Sequence, residues 1–494
     1  MANEGDINMD AEEEFRLAFG NHVDISDECM DQIVKLKNND ECLDTLSLYH
    51  DEVEYFSDLA WKLIGRYISN NDYIRRMELD DVFLNDTKIA LIFQELSNGH
   101  SLVETLVLDG NAISVDGIRS MVPFLQTSKK LNHVSLWRNN DINNDGFDLL
   151  INSLHRGCVK ELELGRCNVK DISVLGRCHF SQLRKLDLVC NDIADVSALE
   201  SYTRLDELSL CHNKIGREGF MALSNLLRNE NCSLEHLSLR ETGIKDDEAE
   251  IIAQSLKNNT SLKNLILEGN EINELGCGAF LKLLLDISSI NGTYTSNHTL
   301  RGLFLHGEDS DDDDSRNDDS NDDFSADTEL GRIIRYINWA ISANDDAINA
   351  DRYKIISCQL NSDRRKGLCA LQGINYSYGS IFSEIDPVIL PNLLELVGKK
   401  YGQDELYRML IAIVPDLASM VNKKVAMQEK IESNITMIAK IDADYEREVA
   451  ALNAVRLRRT SALAAQNEKL NEELSSLKEE EMNNTLCGKK RRRK

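Results

Sequence analysis

The sequence predicts an α/β solenoid, a horseshoe with parallel strands on its concave face and helices on its convex face. A helical module and a long coiled-coil helix are expected to follow. Three observations carry this expectation. Residues 183–193, LRKLDLVCNDI, set leucines at Leu183, Leu186 and Leu188 ahead of Asn191 and Ile193. The same spacing recurs from Leu43 to Leu300 at steps of 22 to 38 residues. Several of these units are followed by a stretch of helical rather than strand periodicity.

The spacing has a physical reading. A short strand turns Leu186 and Leu188 to one side and the residues between them to the other. Asn191 falls where the chain leaves the strand, and its amide suits the backbone groups that a sharp turn leaves unpaired. One such unit cannot bury its own leucines and needs a copy on either side.

Taken in order, residues 1–40 form an acidic flank, expected to be poorly ordered. Glu14–Phe19 and Ile33–Leu36 read as short helical pieces leading into a cap. Units then start at Leu43, Ile74, Val103, Leu131, Val159, Leu183, Leu205, Leu234, Leu262 and Leu300. The first two are the weakest, with Asp51 and Val82 at the asparagine position; end units that cap a stack are expected to be degenerate. Cys167 and Thr242 also replace the asparagine. GFMALSNLLRNENCS (219–233) places Phe220, Leu223, Leu226 and Leu227 on one helical face.

With these residues in view, the chain over 41–345 resembles the ribonuclease-inhibitor-like class of leucine-rich repeats. The resemblance implies the fold and a non-catalytic, protein-binding role. The 24- and 22-residue units from Val159 and Leu183 are similar instead to a short-repeat class, with a 3₁₀ turn in place of the helix. The wall is expected to thin there.

The tract EDSDDDDSRNDDSNDD (308–323) follows the last unit's strand and precedes ELGRIIRYINWAISAN (329–344), which reads as that unit's helix. It is therefore an insertion kept open by its own charge. Residues 346–416 suggest a helical capping module, with helices entered through Pro387 or Pro391 and bent near Pro415. Residues 417–482 hold no glycine or proline and place Ile438, Ile441, Leu452, Leu463 and Leu470 at coiled-coil-like spacings. The basic tail 483–494 ends in Lys489, Lys490, Arg491, Arg492, Arg493 and Lys494.

Composition narrows the function. A net charge of -28 argues against the body binding nucleic acid or anionic membrane. The start has no apolar run of signal-peptide type, and no stretch suits a membrane span. An intracellular setting, nuclear or cytoplasmic, is the expectation. The 12 cysteines form no CxxC pair and read as small buried hydrophobes. With no Walker loop, HExxH, GxSxG or metal-spaced cluster, the chain reads as a non-enzyme without cofactor or metal.

The candidate binding surface is the concave face. Counting outward positions gives one column through Asp109, Trp137 and Arg240 and a second through Arg138, Arg166 and His212; Asp187 lies between leucines. An exposed tryptophan beside two arginines is the composition of a binding hot spot. The alternative is that the arginines simply pair with Asp109 or Glu163. Ser310, Ser315 and Ser320 each precede an aspartate by three residues, which suits an acid-directed kinase. The tail matches a simple nuclear-import signal. The leading expectation is a scaffold that binds a protein partner and self-associates through the coiled coil. The second is a regulator of a small GTPase, because the activating protein of the nuclear-transport GTPase Ran similarly joins such repeats to an acidic region. A basic nuclear protein is the partner that the acidic tract would suit.

Overall fold

The computed structural model describes residues 11–19, 25–49, 53, 56–97, 101–306, 328–345, 350–359, 362–372 and 430, and most of 432–478, including all of 446–478. The acidic tract with Ser310, Ser315 and Ser320, the segment 373–416 for which proline-flanked helices are expected, and the tail from Lys489 to Lys494 lie outside the described residues. Met1–Leu406 forms one compact unit and Tyr407–Lys494 a second.

The first unit contains one ten-stranded sheet, parallel throughout and in sequence order. Its strands are β1 (Thr45–Ser47), β2 (Arg76–Glu78), β3 (Thr105–Val107), β4 (His133–Ser135), β5 (Glu161–Glu163), β6 (Lys185–Asp187), β7 (Glu207–Ser209), β8 (His236–Ser238), β9 (Asn264–Ile266) and β10 (Gly302–Phe304). Each is three residues long because only the middle residue must point inward. Those middle residues are in register from Leu46 through Leu106, Leu162, Leu186 and Leu265 to Leu303, and all are buried. Helices cover the other side of this apolar layer. Arg217–Arg228, for example, buries Phe220, Leu223, Leu226 and Leu227.

In the units from Val103 to Leu262, the turn out of the strand is held by the residue at the asparagine position. Asn191 Nδ2 donates to Leu188 O of its own unit (3.0 Å) and Leu164 O of the preceding one (2.9 Å). Its Oδ1 accepts from the N–H groups of Cys167 (3.1 Å) and Val169 (3.0 Å). Asn111, Asn139, Asn213 and Asn270 make the same pair of carbonyl bonds, at 2.8–2.9 Å. Where Cys167 stands in, its thiol donates to Leu136 O of the preceding unit (3.2 Å). Where Thr242 stands in, its hydroxyl donates to Leu239 O of its own unit (2.7 Å).

The two short units differ from each other. The 22-residue unit closes with a 3₁₀ turn at Ser197–Leu199, as its length suggests. The 24-residue unit instead forms one turn of α-helix, Ser173–Arg177, closed by the Cys178 N–H on Val174 O (2.9 Å). Two further residues suffice for an i→i+4 bond, and the Tyr202 hydroxyl caps the end by donating to Leu175 O and Cys178 O (both 3.0 Å).

The flank expected to be poorly ordered is helical over Ala11–Phe19 and Asp27–Lys37. Phe19 packs edge-on against Phe56, which contacts the fully buried Trp61. The Gln32 amide bonds the edge strand from both ends, donating to Ser47 O (2.9 Å) and accepting from Ser47 N–H (3.0 Å). A side chain thus occupies part of the place a neighbouring strand would take.

At the other end, Glu329–Asn344 packs as the last unit's helix, with Ile333, Ile337 and Ala340 buried. Asn344 Nδ2 donates to Leu300 O (2.6 Å). The following helices, Ala350–Lys354 and Ser362–Leu371, are tied to the repeats by Lys354. Its buried ammonium donates to Leu284 O (2.8 Å) and Asn297 O (3.2 Å), and burial lowers its pKa to about 7. In the second unit, residues 446–478 are helical and exposed throughout. No helix among the described residues is long and apolar enough to cross a membrane.

The asparagine positions therefore carry stability that leucine burial alone does not supply. Asn191→Ala is expected to cost about 2–4 kcal/mol, because it strands buried N–H and C=O groups in two units. The shift of the urea midpoint measures it, with a conservative surface change such as Asn471→Gln expected to leave the midpoint in place.

Candidate functional site

The outward columns counted from sequence run past the strands. Asp109, Trp137 and Arg240 lie two residues beyond the ends of β3, β4 and β8. Arg138, Arg166 and His212 lie one residue further, in the turn, with φ of 58°, 54° and 54°. The left-handed backbone there turns their side chains to the rim of the sheet rather than onto its face. The residues that line the strand face include His133 and Ser135 on β4, Glu161 and Glu163 on β5, Lys185 and Asp187 on β6, and Glu207 on β7. Of these only Asp187 was a sequence candidate. The signal that finds the others is their position between the leucines of each unit.

Trp137 is half-buried, not exposed. Its ring lies against Gly165, where an added Cβ would come within 2.2 Å of Cδ1 and Nε1. The guanidinium carbons of Arg138 and Arg166 stand 5.2 and 5.6 Å from the ring centre, so a cation flanks the ring in two adjacent units. Neither arginine takes Asp109 or Glu163 as partner. Arg138 pairs with Asp81, two units back. Glycine is needed at 110 (φ 63°), because a Cβ there would meet both members of that pair. Arg166 is exposed and makes no ion pair among the described residues, while Glu163 binds the Lys185 ammonium at 2.7 Å.

Asp109 serves the same cluster from below. It accepts from the Ser135 hydroxyl (2.6 Å) and from the Trp137 N–H (2.7 Å), which fixes the backbone that carries the ring. Burial nevertheless raises its carboxyl to about 6, against the pull of those two donors. Burial also raises Asp187, opposed by the Val189 N–H at 2.9 Å. His212 and Arg240 stand apart from this cluster. His212 Nδ1 lies 3.0 Å from Glu241, and Arg240 lies 3.6 Å from Glu241 and 3.8 Å from Glu268. They form a second charged group, three and four units on from Trp137.

One group among the described residues has metal-ligand proximity. His133, Glu161 and Glu163 bring ligand atoms within 4.8 Å of one another. Lys185 already supplies the cation that Glu163 needs, and the imidazole lies 3.7 Å from each carboxylate. This is a salt-bridge network on the strand face, and a divalent ion would have to displace an ammonium to enter it.

A model described as Leucine Rich repeat matches residues 182–200. Mouse NACHT, LRR and PYD domains-containing protein 5 is 28% identical over 255 residues, covering 51% of this chain and 20% of that protein. Mouse ribonuclease inhibitor is 25% identical over 215 residues, 43% of each chain. The chain thus spans a fifth of the first of these relatives and 43% of the second. A crystal structure of an internalin from Listeria monocytogenes is similar over 44% of this chain and 54% of its own, with 21% identity and a TM-score of 0.31. The repeats are leucine-rich repeats of the ribonuclease-inhibitor-like kind.

Two predictions follow from the geometry at Trp137. Gly165→Ala is expected to expel the ring from its seat, increasing acrylamide quenching of tryptophan fluorescence; in a Trp137→Phe background the same change should leave quenching unaltered. Asp109 has a folded-state pKa near 6, above the ordinary 3.8. Its contribution to stability is therefore present at low pH and is lost as pH rises from about 4 to 6. Asp109→Asn keeps the acceptor oxygen and is expected to flatten that fall and raise the urea midpoint at pH 7.

Proposed function

We propose that this protein is a non-catalytic scaffold that binds a protein partner on the strand face and rim around Trp137. The observation that carries this reading is the Trp137 ring held between Arg138 and Arg166 beside carboxylates that burial keeps short of solvent. A half-buried ring seated on Gly165, with one flanking guanidinium tied to Asp81, is a ready anchor, since little side-chain entropy remains to be lost there on binding. The neighbouring Glu161, Glu163, Asp187 and Glu207 outnumber Lys185, so the partner presents cationic groups to the strand face. The name of one relative, ribonuclease inhibitor, records action on another protein, which supports the same class of role. The exposed helix of 446–478 serves self-association.

Affinity capture with the full chain tests the reading. Trp137→Ala with Arg138→Ala is expected to lose the captured partner by at least tenfold in affinity, about 1.4 kcal/mol or more. Equal capture by the double variant and the unaltered chain would place the binding surface elsewhere. Capture should also weaken below pH 6 as Asp109 takes up its proton, since its pKa is about 6.

A further inference from the structure

The helix of 446–478 carries an apolar stripe that nothing in the described chain covers: Val449, Leu452, Leu463, Leu470, Leu474 and Leu477 are all exposed. Leu452, Leu463 and Leu474 recur at eleven residues, which keeps them on one line of a nearly straight helix. The stripe is interrupted by Arg456 and Arg459, also on that line, and by Asn467. Resting on the self-association proposed above, we infer that the stripe is covered by the same stripe of a second copy, running antiparallel and centred on Leu463.

The pattern is symmetric about that residue. Eleven positions to either side stand Leu452 and Leu474; fourteen to either side stand Val449 and Leu477. An antiparallel pair therefore sets leucine on leucine at the centre and apolar on apolar at both ends. Seven positions out, Arg456 meets Leu470 of the second copy, whose side chain the arginine stem can cover while its charged head reaches water. Four positions out, Arg459 meets Asn467, whose carbonyl accepts from a guanidinium. On the flank, Glu446 of one copy falls on the same side as Lys478 of the other, a pair of opposite sign. Ala462 and Ala464 border the central leucine and let the helices approach closely.

A parallel pair fails on charge. It sets Arg456 and Arg459 against their own copies, four guanidiniums within one turn of the seam and no carboxylate at those layers. Asn467 would be satisfied by its own copy in that arrangement, but one paired amide does not offset two layers of like charge. The antiparallel overlap from Val449 to Leu477 is about 42 Å at 1.5 Å per residue, ample for a stable two-helix seam.

The test is disulfide capture between full-length chains under a mild oxidant, with the linked peptides identified by mass spectrometry. Leu452→Cys and Leu474→Cys both sit on an exposed helix, so neither endangers folding. Mixed together, the two variants are expected to link 452 to 474 between copies, and each alone should not link to itself. Self-linking of either variant alone, without the mixed link, would show a parallel pair and overturn the inference. A chain that sediments as a dimer yet forms no link at these positions would overturn it too, placing the dimer contact elsewhere. A chain that sediments as a monomer at micromolar concentration would sink the self-association reading itself, and this orientation with it.

Discussion

The structure depends on how the buried backbone at each strand exit is satisfied. A repeat of this kind must turn sharply after every strand while staying dry, and unpaired peptide groups there would cost more than one leucine contributes. The asparagine resolves this by bonding carbonyls of two consecutive units with a single amide. The residue before this position is left-handed whichever side chain follows: Arg138 precedes Asn139, Arg166 precedes Cys167, His212 precedes Asn213 and Asp81 precedes Val82. The turn that closes the core thus decides which side chains stand at the rim. The guanidiniums beside Trp137 are placed by the ladder beneath them.

Around Trp137 the local arrangement runs against individual stabilities. Asp109 holds a carboxylate in a site that raises its pKa to about 6, yet it fixes the Trp137 backbone and the Ser135 hydroxyl. Gly165 gives up backbone order to admit the ring, and Gly110 does the same for the Arg138–Asp81 pair. Four consecutive units, β2 to β5, contribute to one small platform. Such local costs collected at a surface support the binding role proposed for this face.

Much of the fold was legible because the leucine spacing is strict. All ten strands start where the first apolar position of each unit places them, and the last helix after the acidic insertion was readable from its apolar face. The site was only partly legible. Alternation counted on to the third residue past the strand fails there, because φ turns positive, so Arg138, Arg166 and His212 read as face residues while Glu161, Glu163 and Lys185 are passed over. The cap at the start was missed for a different reason. Gln32 bonds β1 through a side-chain amide, and no local pattern distinguishes a capping glutamine from a solvated one. Lys354 is similar: a lysine that closes a helix end from 70 residues away leaves no trace in sequence spacing.

The two substituted rungs have a further consequence. Asparagine links each turn to the one before it with an acceptor as well as a donor, whereas Cys167 offers its predecessor one weak thiol bond and Thr242 bonds its own unit. In a stack where each repeat touches its neighbours, stability is a sum of nearest-neighbour terms. The joints between β4 and β5 and between β7 and β8 therefore have thinner polar coupling than the joints closed by Asn111, Asn139, Asn191, Asn213 and Asn270. Trp137 with Arg138 on one side and Arg166 on the other straddles the first of these joints, so the ring and the second guanidinium that flanks it belong to units coupled by a thiol rather than an amide.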